Sequence, residues 1–332
     1  MSANMDDRFA APDATLAHDR SKHPRLFAVV AKLVHAKNSW GKLANIFNPN
    51  HRHDEAHEQA VDRRRAEAAD AHRYRSFAPE TDGNDVKWYV DGRDYFWAIS
   101  VALERASECI YIADWWLSPE LILRRPPSDS KEWRLDRVLK RKAELGVKIY
   151  VAVYKEIACS LTCNSAHTKK ALESLCPRGS RGHGNIVVVR HPDHDPLLHG
   201  ADPTFFWAHH EKLVVVDHKV AFVGGLDLCF GRWDMRQHPL ADTHPERVAA
   251  QVWPGQDFNN NRIMDFQNVQ DWKANQLDKS KYGRMPWHDV GLGIAGPAVM
   301  SIAEHFVGVC SPPNRAVFRL LTASTALELR QA

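Results

Sequence analysis

The sequence predicts an α/β fold: a mixed, largely parallel sheet flanked by helices, with a helical, partly disordered N-terminal extension. Three observations carry this. From Val86 onward, short runs rich in Val, Ile, Tyr and Phe alternate with stretches of helical periodicity. Residues 1–84 are instead rich in Ala, His, Arg and Asp and poor in strand formers. With 332 residues, 44% of them hydrophobic, there is enough apolar side chain for a sizeable core. The expected organisation is an extension over 1–84, a sheet-bearing domain over 85–307 and an atypical tail over 308–332.

In the extension, Leu26, Phe27, Val30, Leu33, Val34, Trp40, Leu43 and Phe47 recur at helical spacing with Lys32, Lys37 and Lys42 among them. This basic amphipathic stripe reads first as a helix packed on the protein's own surface, and second as a segment resting on an anionic membrane. The charged run from His51 to Arg75 reads as a solvated helix. In the domain, VKWYV is a strand closed by the turn pair Asp91-Gly92, and DYFWAISVALERASE is a helix. ECIYIADWWL is a buried strand, followed by a Pro-rich loop and a helix from Lys131 to Leu145 that stops at Gly146. VKIYVAVY is a core strand, HTKKALESL a short helix and NIVVVR a further strand.

The formal charge of +3 is small for this length, so any attraction to anionic phosphates is local, and nucleic acid is not an expected partner. Six scattered cysteines offer no second close pair beside Cys159 and Cys163, which reads as free thiols in a reducing compartment and not as a disulfide framework or zinc site. No stretch approaches the roughly 20 apolar residues of a membrane-spanning helix, and the first twenty residues do not read as a secretory signal. The expected location is cytoplasmic, peripheral on membranes.

The most informative stretch is AHHEKLVVVDHKVAFVGGLDLCFGRWD. Side chains alternate on a strand, so His210 and Lys212 share one side and Glu211 takes the other. Asp217, His218 and Lys219 supply turn chemistry, and VAFV returns as the second strand of a hairpin. Gly224 and Gly225 suit either an oxyanion pocket, where backbone approaches a ligand or takes positive φ, or a plain turn. Asp227 follows, a candidate hydrogen-bonding group of the site. Trp115 and Trp116 read first as buried aromatics, with contact to acyl chains as the alternative; Trp115 is kept among the substrate-binding candidates. A metal site built from His191, His194, His199, His209 and His210 with Asp193 and Asp195 lacks any recognised ligand spacing, so no metal or cofactor is expected.

The spacing His-x-Lys-x4-Asp with Gly-Gly six residues later resembles the HKD motif of the phospholipase D superfamily, which His210, Lys212 and Asp217 fit in full. The words VKWYVDGRDYFWA, DWWLSPELILRRPP, RHPDHD, PGQDFNN and RMPWHDV are similar to the eukaryotic phosphatidylcholine-hydrolysing branch, from about Arg75 to about Val307. The resemblance implies that His210 attacks phosphorus to give a phosphohistidine, that Lys212 neutralises phosphoryl oxygens, and that a second imidazole from a second motif copy protonates the leaving alcohol and then activates water. Asp217 is the expected holder of the other ring N–H of His210, although strand parity alone does not bring it there. The implied partner is phospholipid at a membrane surface, with an anionic lipid or phosphoinositide as a further contact.

Neither of the other His-x-Lys pairs, His35/Lys37 and His167/Lys169, has an Asp five residues beyond the Lys. The sequence after Val307 does not resemble the family's continuation, and the expectation is a gene-model or splicing artefact there. Two function classes follow: a phospholipase D that completes its site elsewhere or by self-pairing, or a catalytically inactive half that only binds phospholipid or protein.

Overall fold

In the run Cys109–Asp114, alternation sends Ile110 and Ile112 to one side and Tyr111 and Ala113 to the other, and both sides are buried. Such a strand belongs inside a sheet covered on both faces. The computed structural model describes residues 56–127, 130–156, 162–191, 209–244 and 250–310, and places this strand within a seven-stranded sheet. In chain order the strands are β1 (Asp85–Val90), β2 (Cys109–Asp114), β3 (Lys148–Tyr154), β4 (Ile186–His191), β5 (Leu213–Val216), β6 (Val220–Gly224) and β7 (Val290–Ala295). Their order across the sheet is β1-β7-β6-β5-β2-β3-β4.

The sheet is mixed and flanked by helices, as expected, but its balance differs from the expected parallel majority. Parallel pairing is confined to β2–β3 and β3–β4, whereas β5 pairs antiparallel with β2, and β6, β7 and β1 continue antiparallel. The cause is local. Asp217 and His218, at φ 51° and 53°, turn the chain tightly into a β5–β6 hairpin, so no helical crossover intervenes. The long segment 225–289 then returns the chain as β7, between β6 and β1.

Helices α2 (Gly92–Arg105), α3 (Leu135–Glu144) and α4 (Ser165–Glu173) bury Phe96, Ile99, Leu103, Val138, Leu139 and Leu172 in one cluster with Ile110, Ile112, Val151 and Val214. The helix expected from Lys131 begins as a short 3-10 turn, Lys131–Trp133, before α3 proper, and Gly146 at φ 99° stops it. The other face of the sheet is covered by α5 (Ala298–Cys310), whose Val299, Ala303 and Phe306 pack on Tyr111, Ala113, Leu213 and Val215.

The chain divides into two compact units, Met1–Ala68 and Ala69–Ala332. Of the first, only the opening turns of α1 (Ala56–Ala71) are described; there Arg63, Arg64 and Glu67 are exposed, in keeping with a solvated helix. The amphipathic stripe from Leu26 to Phe47 and the residues after Cys310 lie outside the described residues. Among the described residues, no helix is long and apolar enough to cross a membrane.

Phe306 is fully buried and stacks on Tyr111 at 4.9 Å between ring centroids, which ties α5 to the central strand. Phe306→Ala is expected to lower the unfolding free energy by about 3–5 kcal/mol, measured by urea denaturation.

Candidate active site

The antiparallel pairing of β5 with β2 fixes where the motif residues go. Ala113 faces Leu213 across the ladder, so His210 and Lys212, just before β5, lie beside Asp114–Trp116, just after the end of β2. That is the carboxyl end of the parallel strands, where α/β sheets open a crevice for ligands. At the other end of the ladder Ile110 faces Val216, so Asp217 lies beside Cys109.

Lys212 is buried, and its ammonium sits 3.2 Å from Asp227 Oδ1 and 3.3 Å from the His210 carbonyl oxygen, to which it donates. The same Asp227 oxygen accepts the backbone N–H groups of Trp115 and Trp116 at 2.9 and 3.2 Å. A buried charge needs such a partner. Asp114, also buried, accepts the Leu228 N–H at 3.2 Å. Burial, and secondarily the charge of Asp227, push the Asp114 carboxyl well above the usual carboxylate range despite the opposing pull of Lys212. Its proton leaves the cluster with one carboxylate against one ammonium; two carboxylates would make the pocket repel a phosphodiester. Sequence reasoning missed Asp114. The available signal was an acid within the apolar run ECIYIADWWL.

His210 is exposed at the rim, its ring edge-on to Trp115 with centroids 5.7 Å apart. Partial burial, then the Lys212 charge, hold its pKa below the ordinary 6.5, so the imidazole is neutral at neutral pH. Glu211 points the other way, toward α5, where it accepts from His305 at 2.8 Å. His209, 3.7 Å away, and then His305 bring its pKa down to about 2. The parity of the segment is therefore visible in its partners, although the ladder begins only at Leu213 and residues 209–212 are not strand. Trp115 is half-buried and lies nearly parallel to Tyr154, while Trp116 is core, packed on Phe230 and Phe266.

Asp217 does not reach His210. Roughly 16 Å of extended chain, at about 3.3 Å per residue, separates it from Lys212. Its carboxylate accepts the N–H groups of Ser107, Glu108 and Cys109 and the Ser107 hydroxyl, all at 2.8–2.9 Å. Burial alone would raise its pKa; these hydrogen bonds outweigh burial and hold it below 3.8. In this placement Asp217 anchors the α2–β2 connection to the hairpin turn.

The glycine pair also differs from the oxyanion-pocket expectation, for neither residue takes positive φ. A Cβ on Gly224 would meet Val290 O at 2.5 Å, and one on Gly225 would meet the Asp289 carboxylate at 2.1 Å. The glycines let β7 and its entry close against β6. Gly224 still lines an open hollow of about 350 Å³ beside His210, walled on its apolar side by Leu213, Val223 and Ile302. His194, His199, Asp193 and Asp195 lie outside the described residues.

Residues 102–314 match the family model PLDc, described as phospholipase D. The chain belongs to the phospholipase D family. It is 43% identical over 240 residues to phospholipase D zeta 2 of Arabidopsis thaliana, covering 71% of this chain and 21% of that protein. Over 240 residues it is also 43% identical to phospholipase D1 of Schizosaccharomyces pombe, covering 71% and 17%. With phospholipase D2 of Bos taurus the figures are 40% over 257 residues, 71% and 26%. The chain thus spans a quarter or less of the length of most of these relatives. Among solved structures, NucT from Helicobacter pylori is similar at 11% identity and a TM-score of 0.37, over 69% of this chain and 98% of that one.

The two ends of β5 are expected to respond differently to substitution. Asp217→Ala strands three backbone N–H groups and should cost about 2–4 kcal/mol of stability, whereas His210→Ala, at an exposed rim, should change it by less than about 0.5 kcal/mol, both read from urea titrations. Because the folded pKa of Asp217 is depressed, its contribution is present above 3.8 and is lost as pH falls through the depressed value. Wild type and Asp217→Asn should therefore converge in stability on acidification.

Proposed function

We propose that this chain carries the first-motif half of a phospholipase D site that hydrolyses phosphatidylcholine to phosphatidic acid and choline. The observation that supports it most is the pairing at one sheet end of a neutral, exposed imidazole with a buried, aspartate-held ammonium: a nucleophile and a fixed positive charge directed at one phosphoryl group. A ring nitrogen of His210 attacks phosphorus, forming a P–N bond as the P–O bond to choline breaks. The leaving oxygen takes its proton from a second imidazole. That base then removes a proton from water, whose oxygen displaces His210 and releases phosphatidic acid. Lys212 offsets charge on the phosphoryl oxygens throughout.

Asp227 positions Lys212, and Trp115 braces the ring of His210 on the side away from solvent. Gly224 and the apolar wall of Leu213, Val223 and Ile302 offer room beside the phosphoryl group for glycerol-backbone or acyl atoms of a lipid at a membrane surface. Asp217 serves the reaction indirectly, by holding the strand that carries the motif. The setting is a cytoplasmic protein peripheral on membranes, with anionic lipid or phosphoinositide as a further contact and no nucleic acid. The second imidazole comes from a second copy of the motif, supplied by further sequence or by self-pairing of two chains.

Choline release from phosphatidylcholine vesicles tests this. The isolated monomer is expected to turn over little, with specific activity rising with chain concentration as pairs form, and His210→Ala should remove that activity by at least about a thousandfold. Robust turnover independent of concentration would contradict the need for a second imidazole. Where activity is assembled, the acid limb of its pH profile assigned to the nucleophile should fall below 6.5, because the neutral ring persists to lower pH than in an unperturbed histidine.

A further inference from the structure

Away from the motif, Asp91 closes β1 and precedes α2 with its backbone at φ 67°, ψ 160°, a conformation that suits glycine and strains an aspartate. An aspartate before a helix ordinarily turns its carboxylate back onto the helix N–H groups. Asp91 makes no such cap, although its side chain is buried. One carboxylate oxygen instead faces His288 Nδ1 at 2.7 Å and the other faces His238 Nε2 at 3.1 Å. Among the described residues, no lysine or arginine pairs with this carboxylate. The two imidazole rings lie edge-on with centroids 5.4 Å apart, and the three candidate ligand atoms all lie within 4.8 Å of one another.

The backbones that carry these side chains are pinned to each other. Asp91 N–H donates to Asp289 O at 2.8 Å, and Arg93 N–H donates to Asp234 O at 2.8 Å. Trp287 N–H donates to the Asp234 carboxylate at 2.8 Å. Gly92 is packed so closely on Arg232 that a Cβ would meet its carbonyl oxygen at 2.5 Å. The arrangement is held by the fold and not by chance rotamers of a loose surface.

We propose that Asp91, His238 and His288 bind a divalent transition-metal ion of the zinc class. Two imidazoles and one carboxylate suit Zn²⁺ or Co²⁺, with ligand distances of about 2.0–2.2 Å. They do not suit Ca²⁺ or Mg²⁺, which take oxygen shells. His288 is 67% exposed, so its ring can swing onto the ion and a further coordination position faces solvent. The ion ties the turn after β1, the segment holding His238 and the entry to β7 together. It does so one residue from Asp289, the carboxylate packed on Gly225.

The test is a Co²⁺ titration of the full chain after treatment with a chelator, read by visible d–d absorption and by the thermal unfolding midpoint. Comparison with His288→Ala and His238→Ala isolates this site from the chain's other histidines. The wild type is expected to bind one equivalent more than either variant, and its midpoint to rise by several degrees where theirs do not. His288→Cys should restore binding and add a thiolate-to-cobalt charge-transfer band, which only direct ligation produces. Equal stoichiometry and equal thermal response in wild type and both alanine variants would overturn the proposal and leave Asp91 as a hydrogen-bonded bridge between two imidazoles. So would a cysteine variant that binds Co²⁺ without the charge-transfer band.

Discussion

The antiparallel ladder between β2 and β5 is the constraint on which the rest of this molecule depends. Five short strands or turns of sequence could each place a histidine near a lysine, but only a strand fixed in register against a central neighbour delivers both to the carboxyl end of parallel strands. The same ladder decides what the remaining motif residue does. Asp217 emerges at the far end, and its carboxylate gathers three N–H groups and a hydroxyl from Ser107–Cys109, the residues that lead into β2. The two strands are thereby clamped at one end so that chemistry can be presented at the other.

Electrostatics at the presenting end follow from burial. Lys212 and Asp227 neutralise each other out of water, a pairing whose net stabilisation is small but whose geometry is strict. Asp114 beside them stays protonated because a third charge there would have no counterion. The cluster therefore stands neutral before substrate arrives, and the ammonium keeps hydrogen-bonding capacity for a phosphoryl oxygen. His210 is depressed by the same surroundings, which is what a nucleophilic imidazole requires.

Much of this was legible in the residues. The all-apolar β2 and β3, the short helix after them and the hairpin were marked by composition and turn chemistry, and alternation alone put His210 and Lys212 on one side with Glu211 opposite. Other features were not. The expected parallel weighting failed because β7 was hidden: VGLGIA contains two glycines and little β-branched bulk, and its identity as a strand comes from Tyr89, Tyr95 and Phe222 filling the space those glycines leave. The roles of Gly224 and Gly225 were misread for the same reason, since Val290 and Asp289, some 65 residues on, are what require them to lack side chains. Asp114 was masked by its apolar neighbours, and its meaning lies wholly in contacts with Leu228 and Asp227, more than a hundred residues away. Local pattern announces strands and turns; which distant segment presses on a residue is set by topology.

The four-residue segment Leu213–Val216 acts as a ruler. Its apolar side chains can be exchanged for others of similar bulk with modest effect, but its count cannot change. Adding or removing one residue would rotate everything upstream by half a turn of the pleat. Glu211 would then enter the space beside Asp227, placing anion against anion, and Lys212 would be carried over to α5 to face His305. A single-codon insertion that leaves every named residue intact would therefore reverse the sign of the charge offered to the substrate.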